Sequence, residues 1–181
     1  PRILVTNDDG IYARGIQCLA ESMADFGDVY VVAPDSPQSG MSHAVTFSRI
    51  LRLNPFEFGR GVKAAYACSG TPVDCVKLAV SEVFGYDNLP DLLVSGINHG
   101  SNASINVIYS GTMAAATDGA ISGIPSIGFS LLDERSDADF AASVIAARIL
   151  AREVLENGLP SGTCLNVNIP KVAPEDLKGI M

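Results

Sequence analysis

Short apolar runs, separated by polar and glycine-rich segments, recur along the chain. The runs at residues 3–6, 29–33, 91–95, 125–131 and 165–169 have the length and composition of strands that are buried on both faces of a sheet. Strands of this kind form parallel sheets, in which a crossover helix joins each strand to the next. The pattern therefore predicts a parallel sheet with helices between its strands.

Segments with a helical spacing of apolar residues fall between these runs. Residues 14–26 carry apolar side chains on one face and stop at Gly27, and residues 137–157 have the clearest amphipathic pattern. Residues 112–122 are rich in alanine. Residues 71–84 open with Thr-Pro-Val-Asp, which supplies an N-cap, a first-turn proline and a first-turn carboxylate. Each segment is predicted to form a helix.

The alternation of strands and helices predicts an α/β fold class: a doubly wound, mostly parallel sheet with helices on both faces. Residues 44–68 depart from this pattern, with short strand-like runs from residue 45 onward around a turn, and they predict a small β-hairpin. A length of 181 residues, with no linker or internal repeat, indicates a single domain over residues 1–181.

Composition and charge argue against several classes of function. The formal net charge is −8 without a Lys/Arg cluster, so a long nucleic acid is a poor partner, whereas a small phosphorylated ligand fits if a metal supplies positive charge. No apolar run is long enough to span a membrane and no leader precedes the first strand, so we expect a cytoplasmic protein. The four cysteines form no C-x-x-C pair and are predicted to be free thiols.

Polar loops follow predicted strand ends at residues 7–10, 35–42 and 96–106. Ligands bind outside the carboxyl ends of strands in open α/β sheets. Asp8 and Asp9 lie in the first loop, where adjacent carboxylates repel each other and a hard divalent cation such as Mg²⁺ or Mn²⁺ would relieve the repulsion. Taken alone, the pair is explained equally well by an ordinary Asn-Asp-Asp-Gly turn.

Neutral side chains in the other loops add two candidate groups. Ser39 and Asn98 could supply oxygen ligands to the same cation, although a solvated hydroxyl and an Asx turn are the competing explanations. Asn102 could donate hydrogen bonds to phosphate or sugar oxygens. Ser110-Gly111-Thr112 opens a predicted helix whose free N–H groups suit an anion, and here an ordinary N-cap is the alternative.

Several well-defined nucleotide-binding and catalytic motifs are absent from the sequence. Gly10 and Gly15 have the spacing of a P-loop, but Ile16-Gln17 replaces the Lys-Ser/Thr that such a loop needs. No G-x-G-x-x-G follows the first strand, so a dinucleotide site lacks support, and no G-x-S-x-G supplies a nucleophile elbow. The two histidines, His43 and His99, are predicted to be hydrogen-bonded loop residues.

Four short motifs occur in a characteristic order along the chain. They are Asn7-Asp8-Asp9-Gly10, Ala33-Pro34 with Gln38-Ser39-Gly40, Ser95-Gly96-Ile97-Asn98 with Gly100 and Asn102, and Tyr109-Ser110-Gly111-Thr112. This set closely resembles the SurE family of stationary-phase survival proteins. The resemblance covers nearly the whole chain, from Ile3 to Asn168-Ile169-Pro170.

The resemblance implies a function that the residues alone leave open. SurE proteins are cytoplasmic 5′/3′-nucleotidases with a Rossmann-like core that remove phosphate from nucleoside monophosphates, and some act on short polyphosphate or oligonucleotide ends. They use a divalent cation such as Mn²⁺, Mg²⁺ or Co²⁺, and they form homodimers that often pair into homotetramers. The family's metal ligands fall here on Asp8, Asp9, Ser39 and Asn98, and its phosphate-contacting positions on Asn102, Ser110, Gly111 and Thr112.

Family members usually continue well beyond the Asn-Ile-Pro strand. The segment that follows carries a C-terminal extension, which exchanges between subunits, and a histidine near the active site. The resemblance therefore leads us to expect a single SurE-like phosphohydrolase domain in residues 1–181 that lacks this extension.

Direct hydrolysis is the favoured mechanism, with Asp8 and Asp9 as catalytic residues: one of their carboxylates accepts the proton of a water that the metal activates. Attack by Asp8 itself is disfavoured, because haloacid-dehalogenase-type phosphatases use Asp-x-Asp and these two residues are adjacent. A nucleotide-binding module without turnover and a structural subunit remain as alternatives. Adjacent carboxylates argue against the binding module, since without a cation they would repel phosphate.

Overall fold

The computed structural model describes residues 1–180, in which seven strands and four α-helices alternate. The strands are β1 (Arg2–Thr6), β2 (Asp28–Pro34), β3 (Leu53–Pro55), β4 (Val62–Cys68), β5 (Leu92–His99), β6 (Ser126–Leu131) and β7 (Cys164–Ile169). The helices are α1 (Arg14–Met23), α2 (Pro72–Leu78, continued by a π-helical turn over Ala79–Phe84), α3 (Gly111–Ile121) and α4 (Ala141–Asn157). Short 3₁₀ turns cover Ser104–Ile108 and Pro174–Asp176.

All seven strands belong to one sheet with the order β3-β4-β2-β1-β5-β6-β7. Neighbouring strands are parallel except for β3 and β4, which are antiparallel. From β1 the chain proceeds outward in one direction, to β2 and β4, and from β5 it proceeds in the other, to β6 and β7. This reversal makes the space beyond the carboxyl ends of β1 and β5 the topological switch point, where ligands bind in open α/β sheets.

Alternate residues of the central strands pack against helices on opposite faces of the sheet. Ile3 and Val5 of β1 belong to a core that includes α1 and α4, whereas Leu4 belongs to a second core with α2 and α3. All three side chains are fully buried. The two cores confirm the predicted doubly wound, mostly parallel α/β sheet with helices on both faces.

β3 and β4 confirm the hairpin that was predicted within residues 44–68. Residues 45–52, however, form no strand, so the prediction that strand structure starts at residue 45 was wrong. The backbone of this segment bonds to the start of α2 instead, where the Thr46 N–H donates to Asp74 Oδ1 at 3.0 Å. This backbone N–H therefore bonds to a side chain and not to a neighbouring strand.

The helix ends differ from their predicted positions. α1 ends at Met23 rather than near the end of residues 14–26, and the chain turns before Gly27, where a Cβ would collide with the carbonyl of Pro1. Residue 27 must therefore be glycine because of its close contact with Pro1 before β1, and not because it caps the helix. α4 begins at Ala141, later than predicted.

The start of α2 agrees with its sequence pattern. Thr71 Oγ1 accepts from the Asp74 N–H at 3.1 Å, and Asp74 Oδ2 accepts from the Thr71 N–H at 2.9 Å. These two bonds form a reciprocal capping box, with Pro72 in the first turn. The predicted N-cap and carboxylate thus have the roles that their spacing indicated.

Two further observations concern the chain as a whole. The cysteines Cys18, Cys68, Cys75 and Cys164 are free thiols, as predicted, the middle two buried and the others half-buried. Between residues 1 and 180, no helix has both the length and the apolar content that a membrane span requires.

Candidate active site

A cleft of about 360 Å³ opens at the switch point, beyond the carboxyl ends of β1 and β5. The residues that line it are Asp8, Asp9, Ser39, Gly40, Asn98, His99, Ser101, Asn102, Asn106, Tyr109, Ser110 and Glu134. Among the predicted site residues, only Gly111 and Thr112 are absent from this lining, and they lie directly behind Asp8. The fold thus brings together loops that are far apart in sequence.

Asp8 is held in the cleft by the start of α3. Its Oδ1 accepts from Thr112 Oγ1 at 2.7 Å, and only 4% of the residue is exposed. Burial raises the pKa of Asp8, and hydrogen bonds from Thr112 and from the Gly111 backbone oppose that rise. A Cβ on Gly111 would lie 2.7 Å from the Cβ of Asp8, so glycine is needed for α3 to approach so closely.

This arrangement gives Gly111 and Thr112 a role that the sequence did not predict. Both residues are buried, and the start of α3 interacts with the carboxylate of Asp8. Ser110 lines the cleft, but its Oγ accepts from the Met113 N–H at 3.0 Å, which is the ordinary N-cap interaction. Contact between these three residues and a phosphate remains a prediction, while their structural contribution is to position Asp8 and to cap α3.

Asp9 lies beside Asp8 and lines the same cleft. Burial and the charge of Asp8 raise the pKa of Asp9 to about 6, and His99 acts in the opposite direction. Its Oδ2 atom is buried and has no hydrogen-bond partner among the described residues. A buried acceptor without a partner is unfavourable, and a bound cation would satisfy it.

Ser39 is brought to the cleft by a loop that is anchored on both sides. On one side, the Gln38 N–H donates to the carbonyl oxygen of Asp8 at 2.7 Å. On the other side, the Ser42 N–H donates to the carbonyl oxygen of Tyr109 at 3.2 Å. The loop therefore spans the cleft from the end of β1 to the segment that precedes α3, and Ser39 lines the same cleft as both carboxylates.

Asn98 reaches the cleft because β5 continues to His99, beyond the end predicted at residue 95. The Asn98 Nδ2 donates to the carbonyl oxygen of Gly100 at 3.3 Å and to Asn102 Oδ1 at 3.4 Å. With its amide nitrogen engaged in these bonds, the side-chain carbonyl oxygen of Asn98 is the atom available to a cation.

The donor set of this cleft fits a hard divalent cation. Two carboxylates, a hydroxyl and an amide carbonyl supply only oxygen atoms, which Mg²⁺ and Mn²⁺ prefer. Within residues 1–180, no three or more His, Cys, Asp or Glu side chains form a group that could hold a metal. The buried, unpartnered oxygen of Asp9 supports the fit. The residues that would hold the ion are Asp8, Asp9, Ser39 and Asn98.

His99 lines the cleft, and its ring contacts Asp133, a residue that sequence patterns did not single out. His99 makes its predicted hydrogen bond, between Nδ1 and the carbonyl oxygen of Asp133, at 3.0 Å. Hydrogen bonds from Arg135 hold the pKa of Asp133 well below its usual range, and Lys171 Nζ lies 3.3 Å from the same carboxylate. Asp133, Arg135 and Lys171 belong to no sequence motif, so only the fold shows that they hold His99 beside Asp9.

His43 does not belong to the cleft. Its Nε2 lies 3.5 Å from Asp118 Oδ1, and Lys77 Nζ approaches the same oxygen at 2.9 Å. The carboxylate of Asp118 is buried on α3. In place of the hydrogen bond predicted for His43, the structure shows this 3.5 Å contact with a carboxylate on α3.

The fold and the cleft together define a class: α/β proteins with an acidic, amide-rich ligand site at the switch point of the sheet. The family described as "Survival protein SurE" matches residues 3–181. Proteins named 5′-nucleotidase SurE from Flavobacterium psychrophilum and Christiangramia forsetii are 58% and 57% identical to this chain, over 99% of it and 69% of their own length. The crystal structure of the SurE protein from Aquifex aeolicus has a TM-score of 0.87 and 39% identity, over 100% of this chain and 71% of that chain. The chain belongs to the SurE family.

Proposed function

We propose that this chain is a metal-dependent nucleotidase that hydrolyses nucleoside monophosphates to nucleosides and phosphate. Relatives named 5′-nucleotidase SurE, 58% and 57% identical over nearly the whole chain, support the nucleotidase activity. The finer parts of the proposal are its dependence on one divalent cation (Mn²⁺, Mg²⁺ or Co²⁺), its action on 3′ as well as 5′ phosphates, and a side activity on short polyphosphate or oligonucleotide ends.

Two unsatisfied polar atoms in one cleft carry this proposal. Asp9 Oδ2 is a buried acceptor and Asn102 Nδ2 is a buried donor, and neither has a hydrogen-bond partner within residues 1–180. Because buried polar atoms are nearly always paired, two unpaired atoms on residues that line one cleft support a ligand that would pair with both. An acceptor suits a cation, and a donor suits an anion such as a phosphate oxygen.

A divalent cation bound beside the two carboxylates would polarise the phosphate ester and lower the pKa of a water molecule. With Oδ2 of Asp9 holding the cation, the other carboxylate oxygen of Asp9 is suited to accept that water's proton, whereas Asp8 is bonded to Thr112. Asn102 Nδ2 donates to a non-bridging phosphate oxygen. The water oxygen forms a bond to phosphorus as the bond to the nucleoside oxygen breaks, and the proton that the water gave up passes to the nucleoside oxygen, which restores the carboxylate.

Attack by Asp8 on phosphorus is disfavoured by its surroundings. The residue is almost fully buried and accepts the hydrogen bond from Thr112, so its oxygen would have to leave the start of α3 to act as a nucleophile. Acid quenching of a reaction with ³²P-labelled AMP should therefore leave no label on the protein. A labelled Asp8 would overturn the direct mechanism.

Phosphate release from a panel of nucleoside monophosphates tests the proposed activity. The assay compares wild type, Asp9→Asn and Asp87→Asn in Mn²⁺, Mg²⁺ and EDTA, with Asp87 chosen because it lies on an exposed loop. We expect cation-dependent release that falls by about 100-fold or more in Asp9→Asn and is unchanged in Asp87→Asn. A folded, cation-loaded wild type that binds AMP without releasing phosphate would instead favour the binding module.

Assembly and cellular location follow from the resemblance and remain proposals. A homodimer or homotetramer should scatter light with two or four times the 18.9 kDa mass of one chain. A monomer at the concentrations of the activity assay would contradict the proposed assembly without changing the chemistry of the cleft. The proposed location is the cytoplasm.

A further inference from the structure

Two side chains of β7 hold the backbone of Asn102 from both sides. The Asn102 N–H donates to Asn168 Oδ1 at 2.9 Å, and Asn166 Nδ2 donates to the carbonyl oxygen of Asn102 at 2.8 Å. Asn168 Nδ2 donates in turn to Asn166 Oδ1 at 2.9 Å. These three bonds close a ring through both backbone polar groups of Asn102, which we call the amide ring.

The geometry of β7 explains how the amide ring forms. Side chains two residues apart on a strand point to the same face of the sheet, so Asn166 and Asn168 lie side by side. Asn102 lies after the end of β5, in a loop outside the strand pairing of the sheet. The two side chains give it the donor and the acceptor that a strand ladder would otherwise supply, and an amide is the side chain that offers both.

The amide ring restricts the side chain of Asn102 as well as its backbone. Asn102 is 4% exposed and lines the cleft, and its Oδ1 accepts from Asn98 Nδ2. The remaining atom, Nδ2, is buried without a hydrogen-bond partner in the described chain. With backbone and Oδ1 both held, the orientation of this donor is fixed before any ligand binds.

We propose that Asn166 and Asn168 are positioning residues for phosphate recognition, acting through Asn102 without touching the substrate. The inference rests on the proposed function, in which Asn102 donates to phosphate. A donor that is already oriented needs no reorganisation when the anion arrives, so loosening the amide ring weakens recognition even though Asn102 itself is unchanged.

A double-mutant cycle tests whether the effect passes through Asn102. Asn166→Ala and Asn168→Ala should each lower kcat/KM for AMP by about five- to tenfold, mainly through KM. In an Asn102→Ala background, the same substitutions should change kcat/KM by less than about twofold, because the group that they position is gone. Asn157→Ala, which removes an asparagine bonded to Glu153 on α4, is the matched control and should leave both constants unchanged.

Aspartate substitutions distinguish this role from a general effect on the fold. Asn168→Asp keeps the oxygen that accepts from the Asn102 N–H but loses the bond to Asn166 Oδ1, so we expect KM to rise by less than it does in Asn168→Ala. Asn166→Asp loses the nitrogen that donates to Asn102 and should behave like Asn166→Ala. If Asn166 and Asn168 only filled space, the aspartate substitution would change KM equally at both positions.

Binding of inorganic phosphate, measured by calorimetry in Mn²⁺, gives a readout that does not depend on turnover. If wild type binds phosphate but releases none from AMP, the proposed function fails, and a five- to tenfold loss of phosphate affinity in the ring variants still supports the positioning role. The inference is overturned if wild type binds no phosphate, if the ring variants keep wild-type affinity, or if their effects persist undiminished in Asn102→Ala.

Discussion

At the scale of single residues, the cleft contains a carboxylate whose charge the protein alone solvates poorly. The pKa of Asp9 is about 6 in the folded chain, compared with an ordinary value of 3.8. The folded state therefore holds this proton more tightly than the unfolded state. The free energy of unfolding falls as the pH rises from about 4 to about 6, and it stays lowered above that range.

Asp9→Asn removes the charge and should remove this penalty. In EDTA at pH 7.5, we expect the variant to raise the free energy of unfolding by about 1–3 kcal/mol, with no gain near pH 4, where wild-type Asp9 is largely protonated. Urea unfolding at both pH values measures the difference, with Asp87→Asn as the exposed control. An equal gain at the two pH values would show that burial of the charge is not its cause.

A divalent cation should offset the same penalty without a mutation. Saturating Mn²⁺ is expected to raise the Tm of wild type at pH 7.5 by roughly 5–10 °C, as ligand binding to the native state predicts. The shift should shrink at pH 5, because the proton on Asp9 competes with the cation. Differential scanning fluorimetry measures both values, and a shift of equal size in Asp9→Asn would speak against this ligand.

At the scale of elements, the cleft depends on the close approach of α3 to the loop after β1. Gly111→Ala would place a Cβ 2.7 Å from the Cβ of Asp8 and 3.1 Å from Cγ of Pro72. We expect a loss of about 1–3 kcal/mol in stability from overpacking. Phosphate release should fall at least about tenfold, because a shift of the order of an ångström in a catalytic group is costly.

Gly59→Ala is the control for this substitution. A Cβ at Gly59 would meet only the end of the Glu21 side chain, at 3.5 Å. Melting curves and phosphate release are measured for both variants. Wild-type activity in Gly111→Ala would show that the contact between α3 and Asp8 does not position the carboxylate for catalysis.

At the scale of the whole molecule, the charge of the chain supports the proposed requirement for a cation. The chain carries a net charge of −8, and two carboxylates lie where a phosphate must approach. Without a cation, the two carboxylates would repel a nucleotide. A bound divalent cation would reverse the sign of the charge in the cleft. The same balance argues against a module that binds nucleotides without metal.

The architecture and most of the site could be predicted because both follow from local patterns. Buried strands produce continuous apolar runs, and parallel strands bring their carboxyl ends to one edge, so Asp8, Ser39 and Asn98 could be expected to meet. Their assembly in one cleft bears out that geometry, although their roles as ligands remain proposals.

Contacts between side chains distant in sequence could not be predicted from such patterns. The amide ring joins Asn102 to β7, and the bond between Thr112 and Asp8 joins α3 to β1. Both depend on register and on the closeness of packing, which no single segment encodes. For the same reason, the sequence did not indicate that the start of α3 contacts Asp8, and its contact with a phosphate remains a prediction.

The position of a bound cation is the decisive measurement. Anomalous diffraction from crystals grown with Mn²⁺ should show a strong peak in the cleft, in contact with oxygen atoms of Asp8, Asp9, Ser39 and Asn98, and Asp9→Asn crystals should lose it. A Mn²⁺-dependent nucleotidase whose manganese lies elsewhere, or whose cleft holds none, would contradict the proposed site.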